Sequence, residues 1–154
     1  MMARARLRGD RGQVGGIEAI PFGVLVFVLG TLLIANAWAV VDAKFATDAA
    51  ARQAARTFVE ATDVDAAFTD ADAAGRAAID AHGRDAARAD VVPVGRFTLA
   101  RCERATFEVS YEVPALSLPL IGGYGRAPFR VRSRHSELVD PFRTGLGGQA
   151  EDCI

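Results

Sequence analysis

Residues 17–41 limit what this chain can become more than any other stretch. From Ala19 the sequence runs AIPFGVLVFVLGTLLIANAWAVV, and no charge follows until Asp42. As a helix, the 23 residues of Ala19–Val41 would extend about 35 Å. A bilayer's hydrocarbon core is roughly 30 Å thick, so the segment is long enough to cross it with modest tilt. A backbone in lipid has no water to bond and must satisfy its own polar groups, so a helix is expected over 17–41.

The run separates two pieces of different character. Residues 1–16 (MMARARLRGDRGQVGG) are polar, rich in glycine and arginine and without apolar periodicity, which reads as a basic cytoplasmic tip or leader with no fold of its own. Arg4, Arg6, Arg8 and Arg11 stand there against Asp10 alone, and such an excess places that end of a span in the cytoplasm. Residues 42–142 are then expected as an extracytoplasmic α+β domain and 143–154 as a tail, flexible unless it is held by a bridge. The net charge of -1 comes with no concentrated basic face, which argues against nucleic acid as a partner. Aromatic residues make up 8% of the chain, so the core of the outer domain should be small.

Within the span, Gly16, Gly23, Gly30 and Ala37 recur every seven residues and share one slowly drifting face. Small residues on such a face let a second helix approach closely, and the amide of Asn36 can hydrogen-bond a neighbouring helix. Trp38 sits near the outer end, where an amphipathic ring belongs, and Pro21 falls in the first turn, where a missing N–H costs least.

The helical pattern continues past the charge at Asp42. DAKFATDAAARQAARTFVEA lacks Gly and Pro, with Ala46, Ala50, Ala54 and Phe58 in one row and Phe45 and Ala49 expected beside it. Asp48, Arg52, Arg56 and Glu60 form a charged row that predicts an Asp48–Arg52 pair. A second alanine-rich helix is expected from about Asp65 or Asp70 to His82, stopped by Gly83. Strand character follows in Val92–Ala100, Thr106–Val113 and Phe129–Leu138, with Cys102–Ala105 as a short hairpin turn. In the middle strand Phe107, Val109, Tyr111 and Val113 should face one way and Glu108, Ser110 and Glu112 the other, giving an antiparallel sheet covered on one side by the amphipathic helix. PALSLPLIGGYGRAP, residues 114–128, reads as a long apolar loop.

Chemistry is sparse. His82 and His135 have no metal-ligand spacing, and Asp70, Asp72 and Gly75 mimic a calcium loop whose last position is Ala81, with no carboxylate, so no metal and no cofactor is expected. No acid, base and nucleophile set can be named, so catalytic residues are not assigned and an enzyme is not expected. Cys102 and Cys153 would lie in an oxidising compartment. A bridge across their 50 intervening residues would contribute about 4 kcal/mol, but two free thiols fit the spacing equally well. Glu18, at the head of the apolar run, is the one charge there, and a carboxylate at such a place is either paired or in the headgroup zone at a helix start.

RGQVGGIEAIPFGVLVFVLG, followed by DAAARQAAR, resembles the TadE-like proteins of tight-adherence pilus systems, whose amino ends are similar to type IVb prepilins. FEVSYEVPALSLPLIGG and RHSELVDPFR are similar to the same family, so the resemblance covers most of residues 11–142. It implies a pilin-like fold in which a long amino-terminal helix, half transmembrane and half amphipathic, packs on a small antiparallel sheet. The membrane, other pilin-like subunits or the pilus-assembly machinery, and a prepilin peptidase are the partners it implies. Processing would fall at Gly12 or Gln13: a cut after Gly12 makes Glu18 the sixth residue of the mature chain, and a cut after Gln13 makes it the fifth. Glu18 would be the assembly carboxylate that neutralises a neighbouring subunit's free amine. An alternative reading takes Ala35-Asn36-Ala37 or Ala37-Trp38-Ala39 as a small-x-small signal cleavage site, releasing a secreted α+β binding domain near Ala37 or Ala39.

Overall fold

A computed structural model of the chain describes residues 19–113, 129–149 and 153. The chain divides into two compact units, Met1–Ala37 and Trp38–Ile154, and each is described by itself. The first helix, α1, runs unbroken from Ala19 to Glu60, 42 residues, and opens with Pro21 in its first turn. Over Ala19–Ala37 its large apolar side chains, among them Phe22, Phe27, Leu33 and Ile34, are exposed.

From Trp38 onward α1 is the spine of a small α+β domain. Ala46, Ala50, Ala54 and Phe58 are buried, as their spacing predicts. The row beside them is not the expected one: Ala43, Thr47, Ala51 and Ala55 are buried, while Phe45 is 63% exposed. The seam turns toward the side where Thr47 meets Ser133, which leaves Phe45 on the opposite flank. The Asp48–Arg52 pair is likewise replaced: Asp48 pairs with Lys44 at 3.3 Å, one turn back, and Arg56 with Glu60 at 2.9 Å.

Helix α2 spans Ala67–Ala81 and buries Ala67, Ala71, Gly75 and Ile79, a single i, i+4 row. Gly75 is needed for contact: a Cβ there would stand 3.0 Å from Val91 Cγ2 and 3.4 Å from the Cβ of Ala54. Asp70, Asp72 and Gly75 therefore lie inside a packed helix. Gly83, at φ +70°, reverses the chain after α2, a conformation that favours glycine.

Three strands form an antiparallel sheet in the order β1 (Ala89–Pro93), β2 (Arg104–Val113) and β3 (Phe129–Leu138). Val91, Val109 and Ser133 stand abreast in the register. The first strand begins earlier and ends sooner than its β-branched run suggests. Pro93 cannot donate to a ladder and Gly95 takes φ +89°, so the chain leaves the sheet there. Residues 94–103 form a long loop instead of a tight hairpin, and the expected turn at Cys102–Ala105 is the end of that loop and the start of β2. The loop folds inward because it carries Leu99, which is buried, and Phe97.

The core is a four-phenylalanine cluster. Phe58 lies 4.8 Å from Phe68, 5.2 Å from Phe97 and 5.6 Å from Phe107, centroid to centroid. Phe107, Val109, Tyr111 and Val113 of β2 are buried beneath α1 and α2 as their alternation predicts. Residues 114–128, read as an apolar loop, lie outside the described residues.

The tail is held. Cys102 and Cys153 are joined by a disulfide with their Cα atoms 4.8 Å apart, and the Arg101 N–H donates to Gly147 O at 2.8 Å. Arg143 then donates to the carbonyls of Val59, Glu60 and Ala61, the orphan acceptors at the end of α1. A cation at a helix carboxyl end also suits the helix dipole.

Candidate functional site

The residues singled out for processing and assembly, Gly12, Gln13, Gly16 and Glu18, lie outside the described residues. The packing residues within α1 are described. Among the described residues a Cβ at Gly23 or Gly30 would meet nothing within 4 Å, and Ala37 is exposed. Asn36 turns back on its own helix, its Nδ2 donating to Leu32 O at 2.9 Å, and Thr31 does the same to Phe27 O. This leaves the Asn36 carbonyl oxygen and one N–H of its amide for another partner. Among the described residues α1 is the one helix long and apolar enough to cross a membrane, by length and composition.

At the start of the α+β domain Arg84 grips α1. Gly83 aims the arginine back across the domain, where Nη2 donates to Asp42 Oδ2 at 2.6 Å and to Ala39 O at 3.0 Å. Nε reaches the same carboxylate oxygen at 3.1 Å, and the guanidinium lies 5.3 Å from the centre of the Tyr111 ring. A planar fork with several donors suits this task where a lysine would not. One side chain thus joins the α2–β1 connection, α1 and β2.

A second junction ties α1 to β3. Lys44 Nζ donates to Arg132 O at 2.6 Å and Ser133 Oγ at 2.7 Å, and Ser133 Oγ lies 2.8 Å from Thr47 Oγ1. A hydrogen bond from Ser133, assisted by Lys44, holds the Asp48 carboxyl below its ordinary range. Serine beside lysine invites a nucleophile–base reading, but the geometry does not serve one. Ser133 is 3% exposed, and an ammonium donating to three oxygens has no lone pair with which to take the hydroxyl proton. The cluster works as a buried polar joint.

On the outer sheet face Arg130 pairs with Glu112 and Arg134 with Glu108, each at 2.5 Å. Glu112 holds the Arg130 guanidinium above its ordinary range. His135 lies 3.2 Å from Glu137, and among the described residues no third ligand-type side chain joins them. Among the described residues no three His, Cys, Asp or Glu side chains converge as a metal site would require. A depression of about 420 Å³, lined by Val59, Glu60, Leu138, Asp140 and Arg143, lies where Arg143 caps α1; Arg143 is spent on that cap, the Glu60 carboxylate on Arg56 and the Asp140 carboxylate on the Phe142 N–H.

Sequence reasoning did not single out Arg84, Lys44, Ser133 or Arg143. Their hydrogen-bond partners on other elements lie 42 to 89 positions away, beyond any local pattern. The local signals were the i, i+4 spacing of Lys44 and Asp48 and an arginine directly after the glycine that ends α2. Compared with protein-family models, curated proteins and solved structures, the chain finds no match.

Proposed function

We propose that this chain is a single-pass, pilin-like membrane protein, a minor pilin or assembly component of a tight-adherence pilus, working by helix packing and not by catalysis. Its amino end faces the cytoplasm and its disulfide-bonded domain lies outside. The observation that carries the reading is α1 itself: a helix whose first half exposes large apolar side chains and whose second half is buried through alanines. The arginines before the span and the disulfide agree with this orientation, since bridges persist in oxidising compartments. Glu18 would pair with a neighbouring subunit's amine, because either charge alone is costly at the edge of the hydrocarbon.

Glu18→Ala tests this directly. The variant should insert in the membrane as the parent does but lose crosslinks to its partner subunits. Crosslinking at the parental level would reject the carboxylate's role.

A second reading has one observation in its favour. The compact unit begins at Trp38, the residue that a cut after Ala37 would expose. Against it, Ala37 and Ala39 sit within a continuous helix, and the Ala39 carbonyl is held by Arg84. The first residue of the mature protein separates the two: near 13 for prepilin processing, near 38 for release.

A further inference from the structure

At the carboxyl end of the proposed span and just past it, α1 carries an exposed stripe that the α+β domain leaves uncovered. Trp38, Val41 and Phe45 are 70%, 45% and 63% exposed, although the helix here belongs to the compact domain. At 3.6 residues per turn they fall with Arg52 and Arg56 within an arc of about 60°. That arc is centred roughly opposite the seam of Ala43, Ala46, Ala50, Ala54 and Phe58, so the domain covers one side of α1 and leaves the stripe on the other. Asp42 and Lys44 lie off the stripe, held by Arg84 and by the β3 joint respectively. Asp48 flanks it and is engaged by Ser133 and Lys44, with Arg52 adding a weaker through-space attraction, while Arg56 is paired with Glu60. The stripe therefore presents three apolar side chains and then the Arg52 guanidinium.

We infer that this stripe docks on the phospholipid surface, with Trp38, Val41 and Phe45 in the interfacial layer and Arg52 on anionic headgroups. The inference rests on the reading of Ala19–Val41 as a membrane span and adds a second, lateral contact with the same membrane. Three physical points favour lipid over a protein partner. First, the stripe begins at the end of the span and continues past it in the same helix. Phe45 stands about 10 Å along the helix axis from Trp38, so with the Trp38 ring at the membrane boundary it is within reach of the headgroup layer. Second, the order of side chains is that of an interfacial helix: tryptophan and phenylalanine at the boundary, then a long cation whose stem lies along apolar surface while its head reaches phosphate. Third, the apolar part of the stripe is made of large side chains, with the small Ala49 only at its edge, whereas helices approach one another closely in lipid through rows of small residues.

The chain's single tryptophan makes the test clean. In a W38F background, F45W and F27W each put one indole in the full-length chain, reconstituted in phosphatidylcholine–phosphatidylglycerol vesicles. Lipids brominated near the headgroup should quench the F45W variant, and aqueous iodide should not. Lipids brominated deep in the chains should quench the F27W variant. Adding R52Q, or omitting phosphatidylglycerol, should lower the docked-to-undocked ratio of the F45W variant about fivefold. Iodide quenching of F45W with normal F27W quenching would overturn the docking and leave the span standing. Protection of F45W from both quenchers, growing with protein-to-lipid ratio, would assign the stripe to a second copy and also overturn the inference. Failure of deep lipids to quench F27W would remove the span, and the docking with it.

Discussion

The two halves of α1 have the same backbone and opposite side-chain logic. Over Ala19–Ala37 the large apolar residues are exposed, and a Cβ added at Gly23 or Gly30 would meet nothing within 4 Å among the described residues. Over Trp38–Glu60 the inward residues are mostly alanine, and a Cβ added to Gly75 of α2 would already stand 3.4 Å from that of Ala54. Bulk suits a helix whose neighbours are lipid chains, because apolar area is what partitions. Smallness suits a helix that two other elements must approach, because packing distance is set by the side chains between them. On the proposed reading helicity is demanded twice over for unrelated reasons, by backbone satisfaction in lipid in the first half and by tertiary packing in the second.

The largest effect that distinguishes the halves should come from phenylalanine truncation. Phe58 is fully buried at the centre of the aromatic cluster, and F58A should destabilise the α+β domain by about 3–5 kcal/mol. F27A removes the same side chain from an exposed site and should leave that stability within about 0.5 kcal/mol of the parent. Hydrogen exchange of the β2 amides in the micelle-bound full-length chain measures both. Similar losses in the two variants would break the contrast.

Enlarging a small residue should separate the halves less strongly and in the same direction. A54L would force a leucine against Gly75 and its surroundings and should cost about 1–3 kcal/mol. G30L meets open space within the unit and should leave the outer domain's exchange unchanged. Any effect of G30L should appear as altered crosslinking between subunits, because that face is the proposed packing face.

The same contrast explains what was legible in the sequence. Uninterrupted hydrophobicity and strict alternation are local, so the apolar run, the inward face of β2 and the extent of β3 could be read directly. The coarse α+β class follows from those three. The first strand was misread because Val92 to Ala100 is rich in strand formers, yet Pro93 and Gly95 end the ladder and let Phe97 and Leu99 fold into the core. Phe45 was misplaced because alanine marks helix faces poorly: with so many small residues the seam could rotate by one position, and the Thr47–Ser133 joint decides its direction. The joints themselves are polar contacts between distant positions, and nothing in a single chain's spacing announces them. Glu18, Gly12 and Gln13 could be read only through resemblance, and they lie outside the described residues.

The smallest expected effect concerns the joint that sets the seam. Asp48 is held ionised by the Ser133 hydrogen bond and by Lys44, so its carboxyl titrates lower in the folded protein than in the unfolded chain. A depressed folded value means the unfolded state binds the proton first. The contribution is therefore fully present above the unfolded value, near pH 4, and is lost as the pH falls through the folded value. Asp48 is partly exposed, so solvent screening keeps the effect modest, well below that of either packing substitution. D48N should flatten the acid limb of the stability-versus-pH curve and leave the limb above pH 5 parallel to the parent's, with a small uniform loss from the weaker bond to Lys44. The same substitution should not alter vesicle insertion, since Asp48 lies beyond the apolar run. An acid limb of unchanged steepness in D48N would show that the carboxylate does not hold the α1–β3 joint, and the direction of the seam would then rest on the Thr47–Ser133 bond alone.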